Sequence, residues 1–174
     1  MLTPPFRKVR ILITNRGVGA LYGTVGSLYH VLAVEDDVID ARFIERAGIE
    51  SGLFQSLRVL GSGEEAQVYL RGEEPYADRV QHPMPNLLLL DLKLRQMSGL
   101  DFLRWVRQSP VLRRLPVVVL SGLVGATSLN RAYELGIEAY LIKPIGVKEL
   151  STTLAGVLVT LENAPPPVSP SSLS

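Results

Sequence analysis

The sequence predicts one α/β domain built on a doubly wound sheet of five parallel strands, with helices packed on both faces. Five short apolar runs recur along the chain, and the four leucines at positions 87–90 are the most uniform of them. Such runs lack the polar alternation of a half-exposed strand, so they indicate strands that are buried on both faces. A helical pattern follows each run after a short connection, which favours right-handed crossovers that place helices on both sides of the sheet.

The five apolar runs predict where the strands lie along the chain. Residues that commonly end helices, and apolar residues at helical spacing, predict the helices. Gly48 is expected to end the first helix, because glycine commonly follows a helix C-terminus, and Pro110 follows the end of the third. The fifth helix is recognised by a stripe at helical spacing, formed by Leu150, Leu154, Val157, Leu158 and Leu161. The strands are predicted at about 29–34, 56–60, 87–90, 117–120 and 139–142. The other helices are predicted at about 38–47, after Ser62-Gly63, at 100–108 and at 127–135.

Composition divides the chain into three zones. Residues 1–28 carry basic but no acidic side chains and are rich in glycine, and we expect this leader to be disordered. Residues 29–162 contain all five predicted strands and form the domain. Residues 163–174 combine prolines and serines, which is typical of a disordered or extended tail.

The composition of the 174 residues also excludes several classes of function. There are no cysteines, which excludes disulfides and cysteine-based metal sites, and the two histidines cannot form a multi-histidine site by themselves. A net charge of +1 gives no general attraction to nucleic acid or to an anionic membrane. No apolar stretch approaches the roughly 20 residues that span a bilayer, so the cytoplasm is the expected compartment.

Charged and hydroxyl side chains follow the predicted strands at the points where the strands end. The acidic triplet Glu35-Asp36-Asp37 follows the first strand, Asp91 the third, Ser121 the fourth and Lys143 the fifth. Because the carboxyl ends of parallel strands share one edge of the sheet, and open α/β sheets bind ligands there, these side chains should converge. Each has an ordinary alternative by itself, as a helix N-cap, a turn residue or half of a salt bridge. Their coincidence at four strand ends favours one site.

The residue types at this edge suit a divalent cation and a phosphoryl group. Several carboxylates at one strand end repel one another unless a cation lies among them. Mg²⁺ prefers oxygen ligands that include a few carboxylates. Lys143 offers a positive charge to a phosphoryl oxygen, and Ser121 offers a hydroxyl donor.

Four short motifs carry a resemblance to one known family. They are Val34-Glu35-Asp36-Asp37, Leu90-Asp91 with Gly99 eight residues later, Val119-Leu120-Ser121-Gly122, and Tyr140-Leu141-Ile142-Lys143-Pro144. In this combination and order they resemble the receiver domain of two-component response regulators. The resemblance covers residues 29–162 and implies a flavodoxin-like strand order of 2-1-3-4-5.

The resemblance implies that Asp91 accepts a phosphoryl group from a phosphohistidine of a sensor histidine kinase. Asp36 and Asp91 would bind Mg²⁺ together with the backbone carbonyl of Lys93, and Glu35 would complete the acidic metal set. Asp37 stands at a position that varies in the family, so the resemblance gives it no ligand role.

The resemblance also implies how the signal leaves the site. Lys143 and Ser121 would each contact a phosphoryl oxygen, and Tyr140 would be the switch aromatic that swings inward as Ser121 moves. The face formed by the fourth helix, fifth strand and fifth helix would then change shape. Because the protein would phosphorylate and dephosphorylate itself, without an outside substrate, we do not class it as an enzyme.

Finer features are similar to stand-alone regulators that are paired with phytochrome-like histidine kinases. They are the proline-bearing segment before Asn86, the phrase Asp91-Leu92-Lys93-Leu94 and the run at 112–120. A phytochrome-like kinase is therefore the expected partner.

The chain departs from the family pattern near the acceptor. Arg95 stands where the family usually has a proline, which loosens the loop backbone and adds a cation near the edge where the kinase docks. Lys93 and Leu123 occupy the two positions that tune hydrolysis of the acyl phosphate. Neither offers a carboxylate or an amide to orient an attacking water, so we expect a fairly long-lived phosphoryl state.

No output domain is expected after the fifth helix, so the signal would pass to a partner, a phosphorelay or a second copy. Similar regulators dimerise through the side formed by the fifth strand and fifth helix, where Leu154, Val157 and Leu161 would contribute unless their stripe simply covers the sheet. The main alternative function is a pseudo-receiver that binds partners without phosphotransfer. A haloacid dehalogenase-like phosphatase would need an aspartate at Lys93, and a flavodoxin-like carrier would need a phosphate-binding loop where the acidic triplet stands.

Overall fold

The computed structural model describes residues 12–13, 29–122 and 125–162, with side chains for 29–122 and 125–159. Most of the leader, the tail at 163–174, Leu123 and the side chain of Leu161 lie outside this description. The predictions made for them therefore stay predictions.

The described strands form one parallel sheet whose order agrees with the prediction. The strands are β1 (Leu12–Ile13), β2 (Tyr29–Val34), β3 (Phe54–Leu60), β4 (Leu87–Leu90), β5 (Val117–Ser121) and β6 (Ala139–Ile142). They lie side by side in the order β1-β6-β5-β4-β2-β3. Strands β2 to β6 thus keep the predicted 2-1-3-4-5 order. The short β1 adds a parallel strand beside β6, within a leader that was expected to be disordered.

Helices cover both faces of the sheet, as predicted. They are α1 (Val38–Ser51), α2 (Gly63–Arg71), α3 (Gly99–Gln108), α4 (Ala126–Glu134) and α5 (Val147–Glu162). One apolar core joins the sheet to α2, α3 and α4, and a second joins the opposite face to α1 and α5. Among the described residues no helix has both the length and the apolar character that crossing a membrane demands.

The first helix does not stop at Gly48, and that prediction was wrong. Helix α1 continues to Ser51, and the residue that ends it is Gly52, which has the left-handed φ of 64°. Gly48 is buried inside the helix, where an added Cβ atom would lie 2.6 Å from a ring carbon of Phe54. This glycine therefore permits the close packing of α1 against β3, and only Gly52 needs the conformational freedom of a helix end.

The apolar stripe of α5 faces the sheet in the described part of the helix. Leu154 is fully buried and Val157 is 3% exposed, both within the core that joins α1 and α5. The idea that these two residues supply a dimer surface was wrong, because they are already covered within one chain. Of the two interpretations of the stripe, coverage of the sheet is the one that the packing supports.

Candidate functional site

The sheet register brings the predicted site residues to one edge. Val34 lies beside Leu90 across β2 and β4, and Ser121 lies beside Ile142 across β5 and β6. The residues that follow these positions leave the sheet at the same carboxyl edge, since the strands are parallel. Asp91 is fastened there by its own N–H, which donates to the carbonyl of Val34 at 3.0 Å.

Asp91 is buried at the centre of this edge and is held by both carboxylate oxygens. Its side chain accepts a hydrogen bond from the backbone N–H of Lys93 through Oδ1 at 2.9 Å. It accepts a second from the Lys143 ammonium through Oδ2, also at 2.9 Å. Only 6% of the residue is exposed, so few positions are open for a ligand to approach it.

Gly99 fixes the path of the chain after Asp91. Its N–H donates to the carbonyl of Leu92 at 3.1 Å, and a Cβ atom at this position would lie 2.3 Å from the carbonyl oxygen of Asp91. Such a distance is far below van der Waals contact, so only glycine lets the start of α3 lie against this backbone. The glycine that the sequence motif contains eight residues after Asp91 thus has a direct steric reason.

Lys143 lies among three carboxylates. Its Nζ is 2.6 Å from Glu35 Oε2, 2.7 Å from Asp40 Oδ2 and 2.9 Å from Asp91 Oδ2. Burial by itself would lower the pKa of Lys143, but the hydrogen bonds to Asp40, Glu35 and Asp91 outweigh burial and the pKa is raised. The lysine therefore stays protonated and carries a full positive charge into the site.

Asp40 is a site residue that the sequence analysis missed. Asp40 does not follow a strand but lies on the first turn of α1, three residues after the N-cap Asp37. One signal could have found it. Asp40 is the fourth acid within residues 35–40. Because helical side chains tilt toward the helix N-terminus, an acid in the first turn of α1 points back toward the carboxyl edge of the sheet.

Glu35 contributes a buried carboxylate. Burial raises the pKa of Glu35, and the hydrogen bond and charge of Lys143 offset that rise only in part. Its side chain is fully buried, and its other oxygen accepts the N–H of Asp37 at 3.1 Å. Since a buried carboxylate is costly when unpaired, Lys143 is the partner that makes Glu35 tolerable there.

The other two acids of the triplet have different neighbours. Asp37 is the N-cap of α1 and accepts the backbone N–H groups of Ile39 and Asp40 at 2.8 and 3.1 Å, which lower the pKa of its carboxyl group. The helix-cap alternative thus holds for this one acid. Asp36 forms an ion pair with Arg95, whose Nε lies 3.1 Å from Asp36 Oδ2.

Three carboxylates fit a divalent cation at this edge. One oxygen each from Glu35, Asp36 and Asp91 lie within 4.8 Å of one another. Carboxylate oxygens are the donors that Mg²⁺ and Mn²⁺ favour, so the chemistry of the donor set matches the predicted metal. In the structure the backbone N–H of Lys93 donates to Asp91. The role of the Lys93 carbonyl as a metal ligand stays a prediction.

Ser121 and Tyr140 lie together inside the domain. Ser121 is fully buried and Tyr140 is 1% exposed. Burial raises the pKa of Tyr140, and a hydrogen bond from the Ser121 side chain partly offsets that rise. The ring of Tyr140 already lies inside the domain, so an inward swing from an exposed position, as predicted, is not what this structure would undergo. Its role as a switch stays a prediction.

The described residues form a doubly wound parallel sheet with a buried aspartate, a lysine and a cluster of carboxylates at its carboxyl edge, which defines a class of α/β domain. The particular family follows from the sequence. The profile of the response regulator receiver domain matches residues 31–155, and the chain belongs to this family.

Several proteins that are similar to this chain in sequence or structure are response regulators. The chain is 33% identical to the response regulator Rcp1 of Synechocystis sp. over 127 residues, which cover 73% of this chain and 84% of Rcp1. The crystal structure of the phosphorylated cyanobacterial phytochrome response regulator RcpA superposes with a TM-score of 0.69 at 31% identity, covering 82% of this chain and all of RcpA. The Mn²⁺-bound form of Rcp1 superposes with a TM-score of 0.65 at 30% identity, covering 80% and 98% of the two chains. The relatives of this chain thus include phytochrome response regulators.

Proposed function

We propose that this protein is a response regulator whose Asp91 accepts a phosphoryl group from a sensor histidine kinase, with Mg²⁺ bound beside it. The observation that carries the proposal is the convergence on one buried aspartate of Lys143 at 2.9 Å and of carboxylates from Glu35 and Asp36 within 4.8 Å. An aspartate with a purely structural role would not require a second buried acid beside it, or carboxylate oxygens close enough to bind one cation together.

In the proposed transfer, a carboxylate oxygen of Asp91 attacks the phosphorus atom of a phosphohistidine. A P–O bond forms while the P–N bond breaks, and the electron pair of that bond leaves with the imidazole nitrogen. Glu35, Asp36, Asp91 and the carbonyl of Lys93 would hold the Mg²⁺. Bound there, the metal neutralises charge on the phosphoryl oxygens. Lys143 stays protonated and donates to a phosphoryl oxygen, which positions the group.

The product would switch a face of the protein. The acyl phosphate carries roughly 2 negative charges where the aspartate carried one, so this buried edge gains about one negative charge. Ser121 would move to donate to a phosphoryl oxygen and would give up its hydrogen bond to Tyr140. The repacking around Tyr140 would then change the surface formed by α4, β6 and α5.

We infer a phytochrome-like histidine kinase as the partner, because RcpA is named as a phytochrome response regulator and resembles this chain over most of its length. Transfer assays against the histidine kinases of the same genome would test this partner. The signal would continue through a protein partner, a phosphorelay or a homodimer on the β6 and α5 side, and a dimer would have to use residues other than Leu154 and Val157. The cytoplasm is the compartment that we expect for this exchange.

The test of the proposed function is labelling with a small phosphodonor such as acetyl phosphate in the presence of Mg²⁺. We expect the wild-type chain to gain the mass of one phosphoryl group and Asp91→Asn to gain none, because the amide has no nucleophilic carboxylate oxygen. Removing the metal with a chelator should suppress labelling of the wild type.

The matched control is Asp101→Asn, which removes an exposed acid from the first turn of α3. It should label like the wild type. Equal labelling of Asp91→Asn would move the acceptor elsewhere. A wild type that never labels, with any donor or kinase, would favour a pseudo-receiver that binds partners without phosphotransfer.

A further inference from the structure

The Lys143 ammonium is already paired with three carboxylates in this structure. An ammonium group carries three N–H bonds, and three carboxylate oxygens lie within 2.9 Å of Nζ, from Glu35, Asp40 and Asp91. A phosphoryl oxygen that approaches Lys143 therefore competes with these carboxylates for the same ammonium.

The three carboxylates differ in how readily they can be released. The side chain of Glu35 is fully buried, and losing Lys143 would leave it as an unpaired buried charge. Asp91 is the residue that carries the phosphoryl group, so it stays at the centre of the reaction. The Asp40 side chain is 36% exposed and lines an open cleft of about 370 Å³ together with Lys143 and Phe43, so water can replace the lost hydrogen bond.

We propose that Asp40 is a positioning residue that holds the Lys143 ammonium while Asp91 is unmodified and releases it when a phosphoryl oxygen arrives. The inference rests on the proposed function and names a regulator of that same site. The exchange is between one carboxylate and one phosphoryl oxygen for the same N–H donor, and it forms and breaks no covalent bond.

The charge of Asp40 acts in the same direction as its hydrogen bond. The phosphoryl group brings negative charge to within reach of Lys143, and the nearby Asp40 carboxylate repels it. Both effects oppose the bound phosphoryl group. Removing Asp40 should therefore strengthen the binding of a phosphoryl-like anion at Asp91.

The experiment measures binding of the beryllium trifluoride anion, a mimic of a phosphoryl group on a carboxylate oxygen, in the presence of Mg²⁺. Calorimetric titration would compare the wild type with Asp40→Asn and Asp40→Ala. We expect binding to tighten by about threefold to tenfold, a change that shrinks as salt screens the charge. Asp40→Ala should gain at least as much as Asp40→Asn, since alanine also removes the hydrogen-bond acceptor.

Asp101→Asn is a close control for this series. Asp101 is also the third residue of its helix, behind the N-cap Ser98, and its partner is Arg104 on the same helix. The two substitutions thus remove the same charge from the same helical position, and a general effect on net charge or on helix ends would appear in both. Thermal melts of all variants would establish that each is folded.

Tighter binding in the Asp40 variants, with Asp101→Asn unchanged, supports the proposal. Unchanged or weaker binding in both folded Asp40 variants overturns it and leaves the proposed function standing. Absence of binding in every variant and in the wild type overturns both together, and Asp91→Asn, which should not bind the anion, establishes that the measured site is the acceptor.

Discussion

At the residue scale, each carboxylate of the site already has a cationic or backbone partner. Lys143 forms ion pairs with Glu35, Asp40 and Asp91, whereas Asp36 forms one with Arg95. Arg95 is 81% exposed at its side chain and Asp36 only 14%, so the pair lies where the site opens to solvent. If Asp36 is a metal ligand, Arg95 competes with the metal for the same carboxylate.

This competition leads to a prediction for Arg95→Ala. We expect its affinity for Mg²⁺ or Mn²⁺ to rise by about twofold to fivefold at low salt, because removing one exposed cation lowers the repulsion that a divalent ion meets. Titration of Mn²⁺ followed by electron paramagnetic resonance would measure it. Arg104→Ala, which removes an exposed arginine that is paired with Asp101 instead, should leave the affinity unchanged. Weaker metal binding in Arg95→Ala would mean that Arg95 holds Asp36 in place for the metal.

At the element scale, the site depends on how α3 begins beside the end of β4. Gly99 is the first residue of α3, and its backbone lies against Asp91 and Leu92. The hydrogen bond from the Gly99 N–H to the carbonyl of Leu92 joins the two segments directly. Any side chain at position 99 would push α3 away from the strand end that carries the acceptor.

Gly99→Ala should therefore lower the free energy of unfolding by about 1–3 kcal/mol, the usual cost of forcing extra atoms into a packed contact. Urea denaturation followed by circular dichroism would measure it. Gly156→Ala is the matched control, because Gly156 lies in α5 with open space around it, and alanine there should raise stability by about 0.5–1 kcal/mol. If both substitutions stabilise the protein, the contact of Gly99 with the acceptor backbone is not a close one.

At the scale of the whole molecule, two apolar cores on opposite faces of the sheet support one polar edge. Helices α1 and α5 pack together over one face, and α5 follows β6 and Lys143 in the chain. The contact of Lys143 with Glu35 joins residues that are 108 positions apart, so it exists only when the full sheet has formed. Stability of the α1 and α5 layer and geometry of the site are therefore linked.

Leu154→Ala tests which role the stripe of α5 has. Because Leu154 is fully buried, we expect the free energy of unfolding to fall by about 2–5 kcal/mol with no change in oligomeric state. Denaturation curves and light scattering after gel filtration would report the two quantities. Thr152→Ala, at an exposed position of the same helix, should stay within about 0.5 kcal/mol of the wild type. If Leu154→Ala dissociated a dimer without lowering the free energy of unfolding, the stripe of α5 would be part of an interface between copies.

The sequence was sufficient for the features that local pattern controls. The strands at 29–34, 87–90 and 139–142 agree with the structure to the residue, because each is a short apolar run with a polar residue behind it. The Gly48 prediction failed since one glycine can serve close packing or a helix end, and only the position of Phe54 distinguishes the two. Tyr140 could be recognised as a residue of interest, but its inward position depends on packing around Ser121.

By itself, the sequence determined the fold class and the edge on which Asp91, Ser121 and Lys143 lie, because the carboxyl ends of parallel strands share one side of the sheet. The tertiary structure alone decided the partners at that edge, which are Asp40 for Lys143 and Arg95 for Asp36, and it alone decided that Leu154 is buried in the core. The physical reason is that pattern specifies where a strand or helix lies along the chain. Which charges pair depends on side-chain distances between segments that are far apart in sequence.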